Sequence, residues 1–245
     1  VAHELKTPMT SMKGYADLLV GGMVGALNDQ QKSFLNTIRS NIDRMNTLVS
    51  DLNDVTKLQT NNLHIEPAPV DFSTVLNETL RPLARQIEEK GQKLALRIPE
   101  RLPNILADQN RLIQVLTNMV SNAWKYSPEN SEIVVMAEVQ RRTLDMKGRD
   151  LGPSLHVSVK DNGIGMSQED LAKLFTPYFR SDNPLTRQQP GTGLGLTITR
   201  GIVLRHNGTI WVESELGQGT TFHFTIPLVA ENATDKVSSE PQVAK

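Results

Sequence analysis

Two glycine-rich segments carry the most informative chemistry of the chain. Residues 161–166 read Asp-Asn-Gly-Ile-Gly-Met, and residues 191–196 read Gly-Thr-Gly-Leu-Gly-Leu. Glycine has no Cβ, so backbone N–H groups in such turns can approach phosphate oxygens, and the positive end of a following helix favours the same anions. Together the two segments predict a nucleotide pocket.

Asp161 is the candidate residue for recognising the base. At the end of a strand its carboxylate can accept a hydrogen bond from the exocyclic amine of adenine, which would select adenine over guanine. An ordinary Asp-Asn-Gly hairpin turn is the alternative, because these residue types are common in such turns. The motif favours the nucleotide interpretation, since Ile-Gly-Met continues it and no second alternating strand follows. Gly163 and Gly165 would let the backbone touch base and sugar.

A polar helix face follows Asp108. The apolar stripe of this helix consists of Leu112, Leu116, Met119 and Ala123, and its polar face consists of Arg111, Gln114, Asn118, Asn122 and Lys125. Two asparagines one turn apart are poor helix formers, and a solvated face is the alternative explanation for them. Mg²⁺ prefers hard oxygen ligands and keeps waters and phosphate oxygens, so one amide oxygen from the protein can suffice. Asn122 fits that role.

A possible nucleophile lies at the amino end of the chain. His3 and Thr7 are one helical turn apart, and Glu4 adjoins the histidine. A neutral imidazole nitrogen is a nucleophile near pH 7, and Glu4 could hold or deprotonate the other nitrogen. A lone exposed histidine usually carries no chemistry, but the neighbouring carboxylate and hydroxyl weaken that explanation. Pro8 predicts a bend beside the reactive turn.

Two helices must position this histidine. Apolar residues of the first recur at steps of four and three, namely Leu5, Met9, Met12, Ala16, Leu19 and Met23. Glycines then break the pattern, Asn28 and Asp29 can cap a new helix, and a second seam runs from Leu35 to Leu52. Such wide stripes predict a helical hairpin that dimerises into a four-helix bundle, although the seam alone also fits a structural coiled coil.

The remaining chain predicts an α+β domain with one mixed sheet and helices on one face. The predicted elements are helices at 72–90, 108–125 and 194–205, strands at 93–98, 132–139 and 155–160, and a hairpin at 209–227. Residues 141–153 are polar and predict a long loop. The predicted organisation is a hairpin domain at 1–64, a proline-stiffened linker at 65–70, a second domain at 71–229, and a disordered tail at 230–245.

Composition excludes several classes of protein. The formal net charge of the 245 residues is −1, which gives no long-range attraction to nucleic acid. Cysteine is absent, so thiol chemistry, disulfides and thiolate-bound metals are excluded. No apolar run approaches membrane-spanning length.

The order of these motifs resembles that of the sensor histidine kinases of two-component systems, from His3 to about Pro227. Residues 3–8, His-Glu-Leu-Lys-Thr-Pro, resemble the phosphoacceptor box, and residues 118–126 with the two glycine segments resemble the ATP site. The resemblance implies a homodimer that phosphorylates His3 with ATP and Mg²⁺, Glu4 acting as general base. The phosphoryl group would pass to an aspartate of a response regulator receiver domain, and Thr7 implies a phosphatase reaction on that regulator.

The resemblance also implies a role for each site residue. Asn122 would bind Mg²⁺, Asn118 would join its polar shell or the nucleotide, and Lys125 and Tyr126 would contact phosphate and ribose. The residues assigned to the lid, the phosphates and the adenine side are Phe175, Phe179, Arg180, Arg187, Gly191, Thr192, Gly193, Leu194, Gly195, Leu196 and Thr220. The phenylalanines would hinge a mobile lid at 181–190, the arginines would meet the terminal phosphate, and Thr220 would lie beside adenine.

Three other functions remain open at this point. The nucleotide motifs are similar to those of conformational ATPases such as chaperones and topoisomerases, which lack the histidine box. They also resemble serine kinases of the anti-sigma type, which would not need His3. A catalytically weak docking module is the third. The chain begins two residues before His3, so we expect a fragment of a longer receptor, its kinase portion cytoplasmic and any membrane attachment upstream.

Overall fold

A computed structural model describes residues 2–144 and 147–229 of the chain, with side chains described from residue 4 onward. These residues form two compact units. The first unit comprises the chain up to His64 together with Gln168–Gly201, and the second comprises Ile65–Ser167 and the chain from Ile202. The tail predicted at 230–245 lies outside the described residues.

The first unit contains the predicted helical hairpin. Helix α1 (Ala2–Val20) continues through Pro8, and α2 (Asp29–Gln59) begins after a reciprocal cap. The Asn28 side chain accepts a hydrogen bond from the Gln31 N–H at 2.8 Å, while the Gln31 side chain accepts one from the Asn28 N–H at 3.0 Å. The prediction that Met23 extends the first seam is wrong, because α1 ends at Val20 and glycines follow at 21 and 22.

The hairpin buries only part of its apolar surface. Met9, Ala16, Ile42 and Val55 are buried, and the ion pairs Lys13–Asp43 (2.5 Å) and Arg39–Asp17 (2.7 Å) join the two helices. The apolar residues that stay exposed include Leu5, Met12, Ile38, Met45, Leu48 and Leu52. One hairpin therefore cannot cover its own stripe.

The rest of the first unit contains three helices. Helices α5 (Gln168–Lys173) and α6 (Pro184–Gln188) are short, and α7 (Gly195–Arg205) begins in this unit. Gly201 of α7 lies against α2, where an added Cβ would be 2.4 Å from a methyl carbon of Leu58. The two helix backbones approach closely because position 201 has no side chain.

The second unit is built on two sheets rather than the single sheet expected from the sequence. Strands β1 (Ala68–Val70) and β3 (Ile105–Ala107) form a two-stranded antiparallel sheet. The five-stranded sheet has the order β2 (Lys93–Arg97), β4 (Glu132–Leu144), β5 (Asp150–Asp161), β7 (Gly219–Pro227) and β6 (Ile210–Glu215). Only β2 and β4 are parallel, so the larger sheet is mixed as predicted.

Two segments that were predicted to be irregular form strands over part of their length in the structure. Residues 68–70, assigned to the linker, form β1, and Pro69 is tolerated there because its strand has one partner. The long loop predicted at 141–153 is wrong, since β4 continues to Leu144 and β5 resumes at Asp150. The side chains of these extensions are mostly polar and exposed, with Thr143 buried, so they lack the apolar alternation that would reveal a strand.

Helices α3 (Phe72–Glu89) and α4 (Gln109–Tyr126) pack against each other and against the larger sheet. The predicted stripe of α4 is buried, and Val135, Val157 and Phe224 are fully buried in the sheet. Asp108 caps α4 by accepting from the Arg111 N–H, and its own N–H donates to Nε2 of the buried His206 at 2.9 Å. The core therefore fixes α4, which carries the candidate metal ligand.

The carboxyl end of α4 is held by two side chains from outside the helix. The Lys90 ammonium donates to the carbonyls of Trp124 and Ser127, both at 2.7 Å, and the Gln92 amide donates to the Pro128 carbonyl at 2.9 Å. These bonds satisfy carbonyls that have no partner within the helix, and the positive charge complements the helix dipole. Burial lowers the pKa of Lys90.

Among the described residues, no helix combines the length and apolar character needed to cross a membrane.

We expect Lys90→Met to lower the free energy of unfolding of the second unit by about 1–3 kcal/mol, because charge-assisted hydrogen bonds to the α4 carbonyls are lost. Urea unfolding followed by circular dichroism measures the change. The control is Lys93→Met, which removes an exposed lysine of β2. Equal stability of the two variants would contradict the capping role.

Candidate active site

Asp161 lies at the end of β5 and is 4% exposed. Its Oδ1 accepts a hydrogen bond from the Gly163 N–H at 2.8 Å. Burial raises the pKa of Asp161 to about 6, although the backbone N–H groups of Gly163 and Thr220 act in the opposite direction. Burial of an ionised carboxylate is unfavourable, and such a group next to a glycine turn is typical of a site that recognises a ligand.

Three glycines let separate backbone segments meet around Asp161. A Cβ added at Gly163 would lie 2.6 Å from the Tyr126 carbonyl oxygen, and one at Gly165 would lie 1.9 Å from the Glu215 carbonyl oxygen. A Cβ at Gly219 would lie 2.1 Å from the carbonyl oxygen of Asp161 itself. Gly165 and Gly219 also have positive φ angles of 65° and 95°. No other residue type fits these three positions without moving the backbone.

Backbone hydrogen bonds join the same segments. The Ile164 N–H donates to the Tyr126 carbonyl at 3.3 Å, and the Gly217 N–H donates to the Ile164 carbonyl at 2.8 Å. Asp161 and Thr220 are direct partners in the pairing of β5 with β7. The structure thus brings together the predicted residues Tyr126, Asp161 and Thr220 with the first glycine segment.

The polar face of α4 supplies the remaining candidates of this unit. Asn118, Asn122, Lys125 and Tyr126 are half-buried. The Asn122 side chain makes no hydrogen bond to any other residue that the structure describes, so its amide oxygen can serve a ligand. Within the described ranges no group of three or more His, Cys, Asp or Glu residues could hold a metal ion. The residues present fit Mg²⁺ bound through one amide oxygen, with phosphate oxygens and waters completing its shell.

The second glycine segment lies in the first unit. Gly193 has a φ of 72°, and a Cβ there would be 2.7 Å from the carbonyl carbon of Tyr178. Tyr178 itself has a φ of 65°, unusual for a residue with a side chain, and its N–H donates to the Gly193 carbonyl at 3.0 Å. The segment leads directly into the N-terminus of α7, where helical N–H groups have no partner within the helix.

Thr192 links this segment to α2. Its hydroxyl oxygen accepts from the Leu194 N–H at 3.1 Å, and its hydroxyl donates to Asp51 Oδ2 at 3.2 Å. Leu194 is buried, and Leu196 is half-buried in the first turn of α7.

The two predicted lid arginines differ in their surroundings. Arg180 donates to the carbonyls of Gln189 (2.6 Å), Thr186 (2.9 Å) and Gly191 (3.3 Å). Arg187 is paired with Asp182 on the surface, with 61% of its side chain exposed. Residues 181–190, predicted as a polar loop, contain α6, whose N-cap Asn183 accepts from the Leu185 N–H. Arg180 therefore organises this segment, and Arg187 is the more accessible cation.

Phe175 and Phe179 are half-buried. The Arg200 guanidinium lies 5.7 Å from the Phe175 ring centroid, and the Thr197 hydroxyl donates to the Phe175 carbonyl at 3.0 Å. These contacts hold Phe175, which precedes the predicted lid, against α7.

The phosphoacceptor box lies on α1. Glu4 and Thr7 are exposed, in agreement with the outward face predicted for them. The backbone of His3 belongs to α1, but its side chain lies outside the described residues.

Sequence reasoning missed Lys90, Asp51 and Ser214, which contact the site residues from elsewhere in the chain. Ser214 accepts a hydrogen bond from the Met166 N–H and lies 3.0 Å from the Thr220 hydroxyl. No local pattern identifies these residues, because each partner is distant in sequence or on another strand.

Two family models match the chain. Residues 1–61 match the His Kinase A (phospho-acceptor) domain, and residues 107–230 match the histidine kinase-, DNA gyrase B- and HSP90-like ATPase. The second match covers half of the chain, and the first contains His3.

Similar proteins include the sensor histidine kinase WalK of Bacillus subtilis, 32% identical over 96% of this chain and 37% of its own length. The non-motile and phage-resistance protein of Caulobacter vibrioides is 33% identical over 93% of this chain and 26% of its own length. The crystal structure of full-length ShkA in complex with AMPPNP superposes with a TM-score of 0.73 at 29% identity, covering 95% of this chain and 45% of that one. This chain therefore spans less than half the length of each of these proteins.

The raised pKa of Asp161 predicts a pH dependence of folding. The folded state binds the proton more tightly than the unfolded state, so this group's contribution is greatest below pH 4 and is lost as pH rises to about 6. A rise of two pKa units corresponds to a loss of up to about 3 kcal/mol. We expect Asp161→Asn to abolish this loss and to be more stable than the wild type at neutral pH. Urea unfolding between pH 4 and 7 measures it.

The control for this experiment is Asp29→Asn, which neutralises an exposed carboxylate in the first turn of α2. It should retain the pH dependence of the wild type. A parallel loss of stability with pH in Asp161→Asn and the wild type would contradict the prediction.

Proposed function

Since this chain belongs to the sensor histidine kinases of two-component systems, we propose that it transfers the γ-phosphoryl group of ATP to His3. The observation that carries the proposal is that one chain holds a phospho-acceptor match containing His3 and an ATPase match containing the buried Asp161. ATP is supplied inside the cell, so we expect these units on the cytoplasmic side of any membrane that anchors a longer protein.

We assign adenine recognition to the second unit. The ionised Asp161 carboxylate accepts a hydrogen bond from the exocyclic amine, and the backbone at Gly163 and Gly165 passes close to base and sugar because no side chain intervenes. Thr220 lies beside Asp161 in the paired strands. Lys125 and Tyr126, at the end of α4, contact phosphate and ribose.

We assign the phosphates to the polar face of α4 and to the second glycine segment. Asn122 would bind Mg²⁺ through its amide oxygen, with Asn118 in the surrounding polar shell. The metal supplies positive charge that offsets charge on the transferred group. Backbone N–H groups of residues 191–196 donate to phosphate oxygens at the start of α7, and Thr192 is among them. Arg187 neutralises the terminal phosphate, and Arg180 holds the segment in shape.

The proposed reaction is an in-line displacement. A neutral nitrogen of the His3 imidazole attacks the γ-phosphorus, a P–N bond forms, and the bond to the bridging oxygen of ADP breaks. Glu4 accepts or holds the proton of the other ring nitrogen, which keeps electron density on the attacking atom. The products are phosphohistidine and ADP.

We further propose that two copies of the chain associate through the exposed apolar stripe of the hairpin. Covering this stripe is favourable because it removes apolar surface from water. The phosphoryl group then passes from His3 to an aspartate of a response regulator receiver domain. Thr7, one turn from His3 and exposed on α1, would orient a water that hydrolyses the regulator's acyl phosphate.

Incubation with γ-labelled ATP and Mg²⁺ tests the kinase reaction. We expect incorporated label to be labile to acid and stable to alkali, because a P–N bond hydrolyses when its nitrogen is protonated. His3→Gln should reduce labelling to background while leaving ATP binding unchanged, since the nucleotide residues are elsewhere.

The control is His64→Gln, which replaces another exposed histidine of the first unit and should label normally. Label that survives acid, or that persists in His3→Gln, would favour a serine kinase over a histidine kinase. Nucleotide hydrolysis without any label on the protein would favour a conformational ATPase.

The different surroundings of the two arginines predict different kinetic effects. Arg187→Ala should slow labelling at saturating ATP about tenfold to 100-fold, because positive charge at the terminal phosphate is lost. Arg180→Ala should mainly weaken ATP binding, because the carbonyls of Thr186, Gln189 and Gly191 lose their donor. Single-turnover labelling and calorimetric titration separate the two effects.

Arg142→Ala, which removes an exposed arginine of β4 paired with Asp150, is the control and should change neither quantity. Slow labelling with normal ATP affinity in Arg180→Ala, together with normal labelling in Arg187→Ala, would reverse the assignment.

A further inference from the structure

Ser214 is a half-buried residue of β6 whose hydroxyl touches three polar groups of the base site. Its oxygen lies 2.9 Å from the Met166 nitrogen, 2.8 Å from the Gly219 carbonyl oxygen and 3.0 Å from the Thr220 hydroxyl oxygen. One hydroxyl therefore joins the first glycine segment to the start of β7.

The directions of these three hydrogen bonds follow from counting protons. A serine hydroxyl has one hydrogen and two lone pairs. The Met166 N–H can only donate, so it occupies one lone pair, and the Gly219 carbonyl can only accept, so it takes the single hydrogen. Thr220 must donate its own hydrogen to the second lone pair of Ser214. The Thr220 oxygen then has lone pairs to offer a ligand but no hydrogen.

Thr220 and Asp161 point to the same face of the sheet, because they are direct partners in the antiparallel pairing of β5 and β7. The ionised carboxylate of Asp161 is also an acceptor only. Its Oδ1 already accepts from the Gly163 N–H. The Asp161 carboxylate and the Thr220 hydroxyl oxygen therefore both act as acceptors toward a ligand.

We propose that Ser214 is a positioning residue that orients the Thr220 hydroxyl and thereby sets the preference for a 6-amino purine over a 6-oxo purine. This inference rests on the proposed binding of ATP beside Asp161. A 6-amino group donates hydrogens to these two side chains, whereas the oxygen of a 6-oxo group is an acceptor that faces two other acceptors.

Asp161 alone would discriminate weakly. A 6-oxo purine carries an N1–H, which can also donate to a carboxylate, so a single acceptor accommodates both kinds of base. The Thr220 hydroxyl oxygen is a second acceptor, because its own hydrogen is already donated to Ser214. With two acceptors, the site no longer accommodates both kinds of base. Without Ser214 the Thr220 hydroxyl could rotate and donate to the 6-oxo oxygen.

The test is the ratio of dissociation constants for inosine triphosphate and ATP, measured by calorimetric titration at neutral pH. We expect the wild type to bind ATP more tightly than inosine triphosphate. Ser214→Ala should lower the ratio of the two dissociation constants about fivefold, the equivalent of one hydrogen bond. Ser214→Thr keeps a hydroxyl and should keep the ratio. Thr220→Val should lower the ratio by itself, and the double variant Thr220→Val with Ser214→Ala should lower it no further.

Equal weakening of both nucleotides by Ser214→Ala would overturn the inference, because a residue that only maintains the fold would act in that way. If Ser214→Ala does not fold, as judged by circular dichroism, the Thr220→Val and Ser214→Thr ratios decide. An unchanged ratio in Thr220→Val, or equal affinity of the wild type for both nucleotides, also overturns it. A folded wild type that binds neither nucleotide would instead refute the proposed ATP binding.

Discussion

The candidate base site depends on the approach of backbone segments at distances that exclude a Cβ atom. Gly163 lies against the end of α4, Gly165 against the end of β6, and Gly219 against Asp161. A side chain at any one of these positions would force its neighbours apart and move Asp161 relative to Thr220. The three glycines are therefore required because only they allow the backbone segments to approach. Lys90 supports this arrangement by holding the end of α4.

Folding and ligand recognition favour different protonation states of Asp161. Its burial makes the ionised form unfavourable, yet that form is the one that accepts hydrogen bonds from a base. In the proposed site, the free energy lost by burying this carboxylate would be offset when a base donates hydrogen bonds to it. Ser214 and Thr220 add to this arrangement without charge, since their hydroxyls are oriented only by hydrogen bonds.

Local patterns were sufficient to predict the longer helices, whereas the short α5 and α6 were not predicted. The cap at Asn28 and the buried stripe of α4 follow from residue spacing along one element, and both are confirmed. The strands β1 and β3 were missed because three residues are too few for alternation to be visible. The extended β4–β5 hairpin was missed because its outer part is largely polar and exposed, although Thr143 is buried. The carbonyl contacts of Arg180 and the hydroxyl network of Ser214 depend on folding that brings separate segments together, and no spacing along the chain reports them.

The Thr192 hydroxyl can donate its hydrogen to one acceptor at a time, and in the structure that acceptor is Asp51. Thr192 has a single hydrogen, and α2 receives it in the structure. In the proposed ATP complex, a phosphate oxygen that accepts this hydrogen would take it from Asp51, so phosphate binding at the start of α7 would be thermodynamically linked to the position of α2. Linkage is reciprocal, so any twist of α2 that strengthens the bond to Asp51 weakens the hold on phosphate by the same free energy.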